Sequence, residues 1–169
     1  DVYKRQTWSP DGLALSLCEC GPTVLSGGLA QFGGLDLTHR HRVRVYYEDT
    51  DLAGIVYYAN YLKFIERART EWVTSLGIDQ MDLRAVHGIV FAVRRVEADY
   101  LRPARFGDEL VVETVLTTIG GARLVLEQVV LRGGERIFAA VVTLVCMSGD
   151  GHAARLPAEV RARLTGPVH

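Results

Sequence analysis

The clearest pattern of hydrophobic and polar positions lies between Tyr46 and Gly77. From Tyr58 onward, apolar side chains recur at spacings of three and four, which predicts one long amphipathic helix that buries a single stripe. The positions of that stripe are Tyr58, Tyr61, Leu62, Ile65, Ala68, Trp72, Val73 and Leu76. Gly77 is the expected end of the helix, because glycine adopts a left-handed backbone at little steric cost.

Alternation with a period of two predicts strands on both sides of this helix. One half-exposed strand covers residues 41–47, and a short helical connection over 78–87 leads to a long strand over 88–101. Three further β-rich runs follow, and the Gly-Gly pairs at 120–121 and 133–134 between them are typical of hairpins. The order is one strand, one long helix and four antiparallel strands, so only that helix can cover the apolar face of the sheet.

The two ends of the chain show no such pattern. Residues 1–38 lack clear periodicity and are interpreted as an N-terminal extension of unknown role, in which Glu19 interrupts the apolar patch and argues against a secretory signal. Because no methionine precedes Met81, we expect this segment to be an upstream extension or a fragment end. The residues from Ser148 are polar and contain proline, which predicts a C-terminal tail over 148–169. The folded domain is therefore expected over 39–147.

Composition narrows the class of protein. The 169-residue chain is 49% hydrophobic with a formal net charge of -1, which suits one soluble domain and gives no overall electrostatic attraction to nucleic acid. Cys18, Cys20 and Cys146 are too few for a disulfide framework, so free thiols in a reducing, cytoplasmic compartment are expected. No run approaches the roughly 18 apolar residues of a transmembrane segment. The histidines are scattered, so neither a metal site nor a cofactor is expected.

The loop before the long helix carries the candidate chemistry. Glu48, Asp49 and Asp51 place three carboxylates just before Gly54 and the start of the helix. A carboxylate can serve as a general base or as a nucleophile, and the unpaired N–H groups at a helix start can stabilise a developing negative charge. The alternative for each aspartate is a structural role as the cap of a turn or of the helix.

Two long segments carry a resemblance to a known family. VRVYYEDTDLAGIVYYANYLKFIERAR and FAVRRVEADYLRPARFGDEL resemble the 4-hydroxybenzoyl-CoA thioesterase family, most closely its YbgC-type, Tol–Pal-associated acyl-CoA thioesterases. The likeness covers about residues 40–147. It implies an α+β hotdog fold, in which an antiparallel five-stranded curved sheet wraps around one long central helix. It also implies a hydrolase of small or medium acyl-CoA thioesters that forms a homodimer or homotetramer, with active sites at the dimer interface.

The resemblance assigns catalytic roles in the loop. Asp51 corresponds to the catalytic aspartate of the family motif, and the backbone amide of Tyr58 corresponds to the donor that stabilises the oxyanion. Gly54 lets the loop backbone pass close to the acyl group. Many YbgC-type proteins have histidine at the position of Tyr58. A backbone donor survives that difference, whereas an imidazole acid or base does not.

Other residues are expected to bind substrate or to orient the loop. With Gly54, Asn60 and Tyr61 of the motif belong to the expected substrate-binding residues, and both are expected to orient the loop rather than to react. Asp49 keeps a structural role. The remaining substrate-binding candidates are Val56, Tyr57, Arg94 and Arg95. The two arginines suit the phosphates of CoA, because guanidinium groups match phosphate geometry, although a solvated strand edge is the more common role for such residues.

Two rival functions stay open at this point. A hotdog dehydratase would need a catalytic histidine, and the loop has none. A non-catalytic module that binds acyl-CoA or acyl carrier protein would keep the groove but would tolerate the loss of Asp51. Glu66 is a further carboxylate on the helix, for which an i, i+3 pair with Arg69 is expected. The identity of the acyl chain, and the choice between nucleophile and general base for Asp51, are open as well.

Overall fold

Five strands and three α-helices make up residues 38–166, the range that the computed structural model describes. The expectations for residues 1–37, with Cys18 and Cys20, lie outside the described residues. No helix within the described range is long and apolar enough to cross a membrane. In chain order the elements are β1 (His39–Arg44), α1 (Asn60–Ser75), α2 (Gln80–His87), β2 (Ile89–Tyr100), β3 (Glu109–Ile119), β4 (Arg123–Arg132), β5 (Glu135–Ser148) and α3 (Ala158–Thr165).

The strands form one antiparallel sheet in the order β1-β3-β4-β5-β2. The predicted hairpins join β3 to β4 and β4 to β5. In the second hairpin Gly133 and Gly134 have φ values of 56° and 87°, a left-handed pair that two-residue hairpin turns require. Both β1 and β2 lie at an edge of this sheet, which places the long strand β2 where its outer backbone groups have no neighbour in the described chain.

Helix α1 covers the sheet as the pattern predicted, with differences in detail. It begins at Asn60 rather than at Tyr58, which lies in the preceding turn. Phe64 is fully buried although the predicted stripe omitted it, and Leu62 is exposed although the stripe included it. Gly77, with φ 71°, follows the helix as expected.

A β-bulge changes the faces of the edge strand β2. The register with β5 shifts between Val93 and Arg95, so Arg94 is the extra residue. An extra residue lets Val93 and Val96 share one face of the strand, and both line a groove against α1. The bulge therefore gives β2 an apolar side toward the helix over more of its length than strict alternation would.

The segment that was expected to be a polar tail contains helix α3. Val160 and Leu164 of this helix belong to the hydrophobic core, and Glu159 pairs with His87 of α2 at 2.8 Å. The prediction of a tail from Ser148 is therefore wrong for the described part of the segment. Its few apolar residues are spaced so that they share one face of a short helix. The prediction considered only the polar residues and prolines and therefore missed this spacing.

Candidate active site

A tight turn holds Asp51 at the surface of the loop between β1 and α1. The Oδ1 atom of Asp51 accepts a hydrogen bond from the backbone N–H of Ala53 at 2.9 Å, and the backbone N–H of Gly54 donates to the Asp51 carbonyl at 2.9 Å. Gly54 has φ +72°, and a Cβ there would meet nothing within 4 Å. One carboxylate oxygen of Asp51 thus shapes the turn, while the other accepts no hydrogen bond from any described residue.

Asp49 has a structural role in the same loop. Its side chain is buried, and its Oδ2 atom accepts a hydrogen bond from the backbone N–H of Tyr46 at 2.9 Å. Its carbonyl oxygen accepts from the N–H of Tyr57 at 2.9 Å and from the side-chain amide of Asn60 at 3.0 Å. The two neighbouring aspartates therefore differ in exposure: Asp49 holds the loop together and Asp51 faces solvent.

The backbone around Tyr58 is fixed by its neighbours. Tyr57 is anchored through its N–H on Asp49, and its own carbonyl accepts from the N–H of Asn60 at 2.8 Å. The hydroxyl of Tyr100, at the end of β2, donates to the carbonyl oxygen of Tyr58 at 3.2 Å. The side chain of Tyr58 is 45% exposed, so this turn lies at the molecular surface beside the start of α1.

Three motif residues face inward instead of lining an open site. Val56, Asn60 and Tyr61 are buried, with exposed fractions of 3%, 5% and 3%. The Tyr61 hydroxyl accepts a hydrogen bond from the backbone N–H of Ala104 at 2.8 Å, and its ring stacks on Phe138 with centroids 5.1 Å apart. Asn60 and Tyr61 thus hold the loop in place, and their part in substrate binding stays a prediction. The Val56 side chain belongs to the hydrophobic core, and a contact of this residue with substrate stays a prediction.

An open groove of about 320 Å³ lies between α1 and β2. Its apolar walls come from Leu62, Ile65, Val93 and Val96, and its polar rim from Lys63, Glu66 and Arg69. The aromatic contact between Tyr58 and Tyr100, with centroids 6.2 Å apart, joins the turn before α1 to the end of β2, nearer the loop. Since α1 and β2 both extend from this contact along the groove, the groove leads away from the loop that carries Asp51.

The polar groups behind the groove form a buried network that sequence analysis missed. Arg69 donates to the Oε1 atom of Gln128 at 2.8 Å, and the amide nitrogen of Gln128 donates to the carbonyl of Ile65 at 2.9 Å and to the hydroxyl of Thr114 at 2.8 Å. Burial lowers the pKa of Arg69, and the nearby charge of Glu66 acts in the opposite direction. The network connects α1 to β3 and β4, and its Gln128 and Thr114 side chains are fully buried.

The predicted pair between Glu66 and Arg69 is wrong. Within residues 38–166, Arg69 forms no salt bridge, and Glu66 accepts a hydrogen bond from the hydroxyl of Thr70 at 3.0 Å. Arg69 is directed toward the sheet, where Gln128 supplies a neutral acceptor that the i, i+3 rule does not consider.

The two candidate arginines of β2 differ from each other. Arg95 forms an ion pair with Glu97 at 3.0 Å, whereas Arg94 is the extra residue of the bulge and makes no ion pair with a described residue. Arg94 lies six residues before Tyr100, so at about 3.3 Å per residue the two are about 20 Å apart. Within one chain, Arg94 therefore lies well away from the contact between Tyr100 and Tyr58.

Thiol and metal chemistry have little support among the described residues. Cys146 is a free, buried cysteine, and burial raises the pKa of its thiol to about 11, which keeps it protonated at neutral pH. The described range contains no group of three or more histidine, cysteine, aspartate or glutamate residues that could hold a metal ion. The absence of a metal from the reaction itself stays a prediction.

Comparisons with known proteins agree on one family. Residues 45–164 match the model of the thioesterase-like superfamily. The acyl-CoA thioesterase YbgC of Haemophilus influenzae is 40% identical over 121 residues, which cover 71% of this chain and 89% of that protein.

Solved structures agree as well. A probable thioesterase from Bartonella henselae is 36% identical, with a TM-score of 0.69 over 71% of this chain and 99% of that chain. A thioesterase from Thermus thermophilus, complexed with coenzyme A and zinc, is 34% identical, with a TM-score of 0.66 over 75% and 97% of the two chains. The predicted hotdog fold is confirmed, and the chain belongs to the thioesterase-like superfamily.

Proposed function

We propose that this chain hydrolyses the thioester bond of a small or medium acyl-CoA, with Asp51 as the reactive carboxylate and the backbone N–H of Tyr58 as the oxyanion donor. Membership of the superfamily and the activity of the Haemophilus influenzae relative support a thioester hydrolase. The observation that carries the assignment to Asp51 is its exposed carboxylate, fixed by one oxygen in a tight turn beside the start of α1.

Two chemical routes use the same carboxylate. In the first, the free oxygen of Asp51 attacks the thioester carbonyl, CoA leaves as the thiol after protonation, and water cleaves the resulting mixed anhydride. In the second, Asp51 takes a proton from a water molecule that attacks the carbonyl directly. Both routes place negative charge on the carbonyl oxygen. One preorganised N–H donor contributes about 3–4 kcal/mol to stabilising that charge, and the N-terminal end of α1 adds to the same field.

The groove between α1 and β2 suits the acyl chain. Its walls are mainly apolar and its volume is about 320 Å³, enough for a short acyl chain but open to solvent in the single chain. The coenzyme A bound by the Thermus thermophilus relative supports CoA as the carrier, with acyl carrier protein as a second candidate. A cytoplasmic location belongs to the same proposal, because the free thiol of Cys146 suits a reducing compartment.

The proposal includes assembly through the edge strand β2 into a dimer, or into a tetramer of two such dimers. This strand has twelve residues, and Val90, Val93 and Val96 on it are 38%, 50% and 37% exposed. A long edge with apolar side chains promotes aggregation unless another strand covers it. A two-fold partner that pairs its own β2 would satisfy the open backbone groups and cover these valines. Light scattering at assay concentration tests this step, and a stable, fully active monomer would contradict it.

The decisive experiment for the function is the substitution Asp51→Asn. We expect it to preserve folding and acyl-CoA binding but to lower kcat by at least about a hundredfold, because the amide is neither a base nor a nucleophile. Glu48→Gln is the matched control, since Glu48 is an exposed carboxylate in the same loop and forms no ion pair with a described residue. Its activity should equal that of the wild type.

The outcomes separate the rival functions. Near-normal turnover in Asp51→Asn would remove the assignment of the catalytic residue. A wild-type protein that binds acyl-CoA analogues but hydrolyses no member of an acyl-CoA panel would be a binding module. In that case Asp51→Asn would leave affinity unchanged with no turnover to lose.

A further inference from the structure

We propose that Tyr100 is a positioning residue, which holds the backbone of Tyr58 in the orientation that its N–H needs in order to stabilise the oxyanion. This role rests on the function proposed above. It extends the candidate site to the last residue of the edge strand β2, which is remote from the loop in sequence.

The contact is a single hydrogen bond from a side chain to the backbone. The hydroxyl of Tyr100 donates to the carbonyl oxygen of Tyr58 at 3.2 Å. This carbonyl lies one residue before Ala59, the residue that caps the start of α1.

The ring of Tyr100 is itself held firmly. It packs edge-on against Phe138, Tyr61 and Tyr58, with ring centroids 5.1, 5.7 and 6.2 Å away. Tyr100 also pairs with Phe138 across the ladder between β2 and β5. Burial, and then the neighbouring Tyr58 and Tyr61, raise the pKa of Tyr100, so its hydroxyl stays protonated and able to donate at neutral pH.

Three hydrogen bonds hold the turn around the proposed donor. On the N-terminal side, the N–H of Tyr57 is bound to the carbonyl of Asp49. On the C-terminal side, Tyr100 binds the carbonyl of Tyr58. The N–H of Tyr58 shares its peptide unit with the carbonyl of Tyr57, which accepts from the N–H of Asn60 at 2.8 Å. Tyr100 holds the peptide unit that follows, so the direction of the Tyr58 N–H depends on both contacts. A donor that already has the right direction needs no reorganisation in the transition state, which is the source of its catalytic effect.

The position of Tyr100 in the fold connects assembly to catalysis. The strand that we propose as the subunit interface is the strand that ends in Tyr100. A displacement along β2 would therefore move the hydroxyl that fixes the turn at Tyr58.

The test is Tyr100→Phe, which removes the hydroxyl and keeps the ring. We expect kcat to fall by about five- to tenfold, since one hydrogen bond that acts on the transition state is lost. KM, and the affinity for a non-hydrolysable acyl-CoA thioether, should change by less than about twofold, because ground-state binding is not affected. Tyr47→Phe is the matched control: Tyr47 is exposed, its hydroxyl bonds to no described residue, and its removal should leave kcat unchanged.

Each outcome decides a separate point. Wild-type kcat in Tyr100→Phe, with an active wild-type enzyme that depends on Asp51, would overturn the positioning role and leave the proposed function intact. A lower kcat accompanied by a higher KM and a lower melting temperature would also overturn it, because that combination indicates a merely structural role. An inactive wild-type protein would overturn both. Tyr100→Leu gives a second check, since its folded fraction should have a kcat no higher than that of the phenylalanine variant.

Discussion

Replacing Gln128 by leucine should lower the free energy of unfolding by about 3 kcal/mol, although Gln128 lies far from the proposed reaction in sequence. Gln128 is fully buried on β4 and makes hydrogen bonds to Arg69, Ile65 and Thr114. Leucine has a similar size but can form none of these hydrogen bonds. The side chain of Arg69 would keep its charge and lose the acceptor that now binds it.

The magnitude follows from these contacts. The two bonds that the Gln128 amide donates contribute about 1 kcal/mol each, and the bond that it accepts from the charged Arg69 contributes about 2 kcal/mol. The added apolar burial of leucine stabilises the fold by about 1 kcal/mol, so the net loss in the free energy of unfolding is about 3 kcal/mol. Thr114→Val removes only one of the three bonds, so its loss should be about 1 kcal/mol.

Denaturant unfolding at a fixed protein concentration measures these differences, since an oligomer's stability depends on its concentration. Gln80→Leu is the matched control, because Gln80 is exposed at the start of α2 and its replacement should change stability by no more than about 0.5 kcal/mol. If Gln128→Leu were as stable as the wild type, or if it lost no more than Thr114→Val, the network would not stabilise the fold as argued.

Two further predictions concern the substrate and the reaction. Dialysis against a chelator should leave hydrolysis unchanged, because the histidines of the sequence have no partner at ligand spacing; loss of activity that zinc restores would contradict this. Arg94→Ala should raise the KM for acyl-CoA with little change in kcat, and more than Arg95→Ala does, because Arg95 is already paired with Glu97. An unchanged KM in both variants would remove the arginines from CoA recognition.

The sequence predicted the sheet and its main helix because their signals are local. Gly-Gly pairs between β-rich runs mark hairpins, and a three-and-four spacing marks a helix face, so both need only neighbouring residues. The same rules placed Tyr58 inside the helix, whereas α1 begins at Asn60. The error arose because the pattern of apolar residues continues into the preceding turn. The extension of the core into α3 was missed because Val160 and Leu164 are too few to give a periodic signal.

The candidate site was only partly accessible from the sequence. Asp51 and Tyr58 were found through a family resemblance, and the loop itself is a continuous segment. Tyr100 and Gln128 were not singled out, because their contacts depend on strand order and on the register of β2 and β4 against their neighbours. The bulge at Arg94 is equally invisible to an alternating pattern, yet it decides which residues of β2 face α1.

The motif that carries the resemblance contains two groups of residues, one with buried side chains and one with exposed positions. Val56, Asn60 and Tyr61 are buried and hold the loop in place, whereas Asp51, Gly54 and Tyr58 are exposed. A reactive carboxylate needs both groups, since it must meet the substrate and must also keep a fixed position while the charge develops. Substitutions in the buried group therefore change stability and turnover together and cannot identify the reacting atom. A substitution of exposed Asp51 changes the chemistry while the buried anchors of the loop stay in place, so it discriminates between a hydrolase and a binding module.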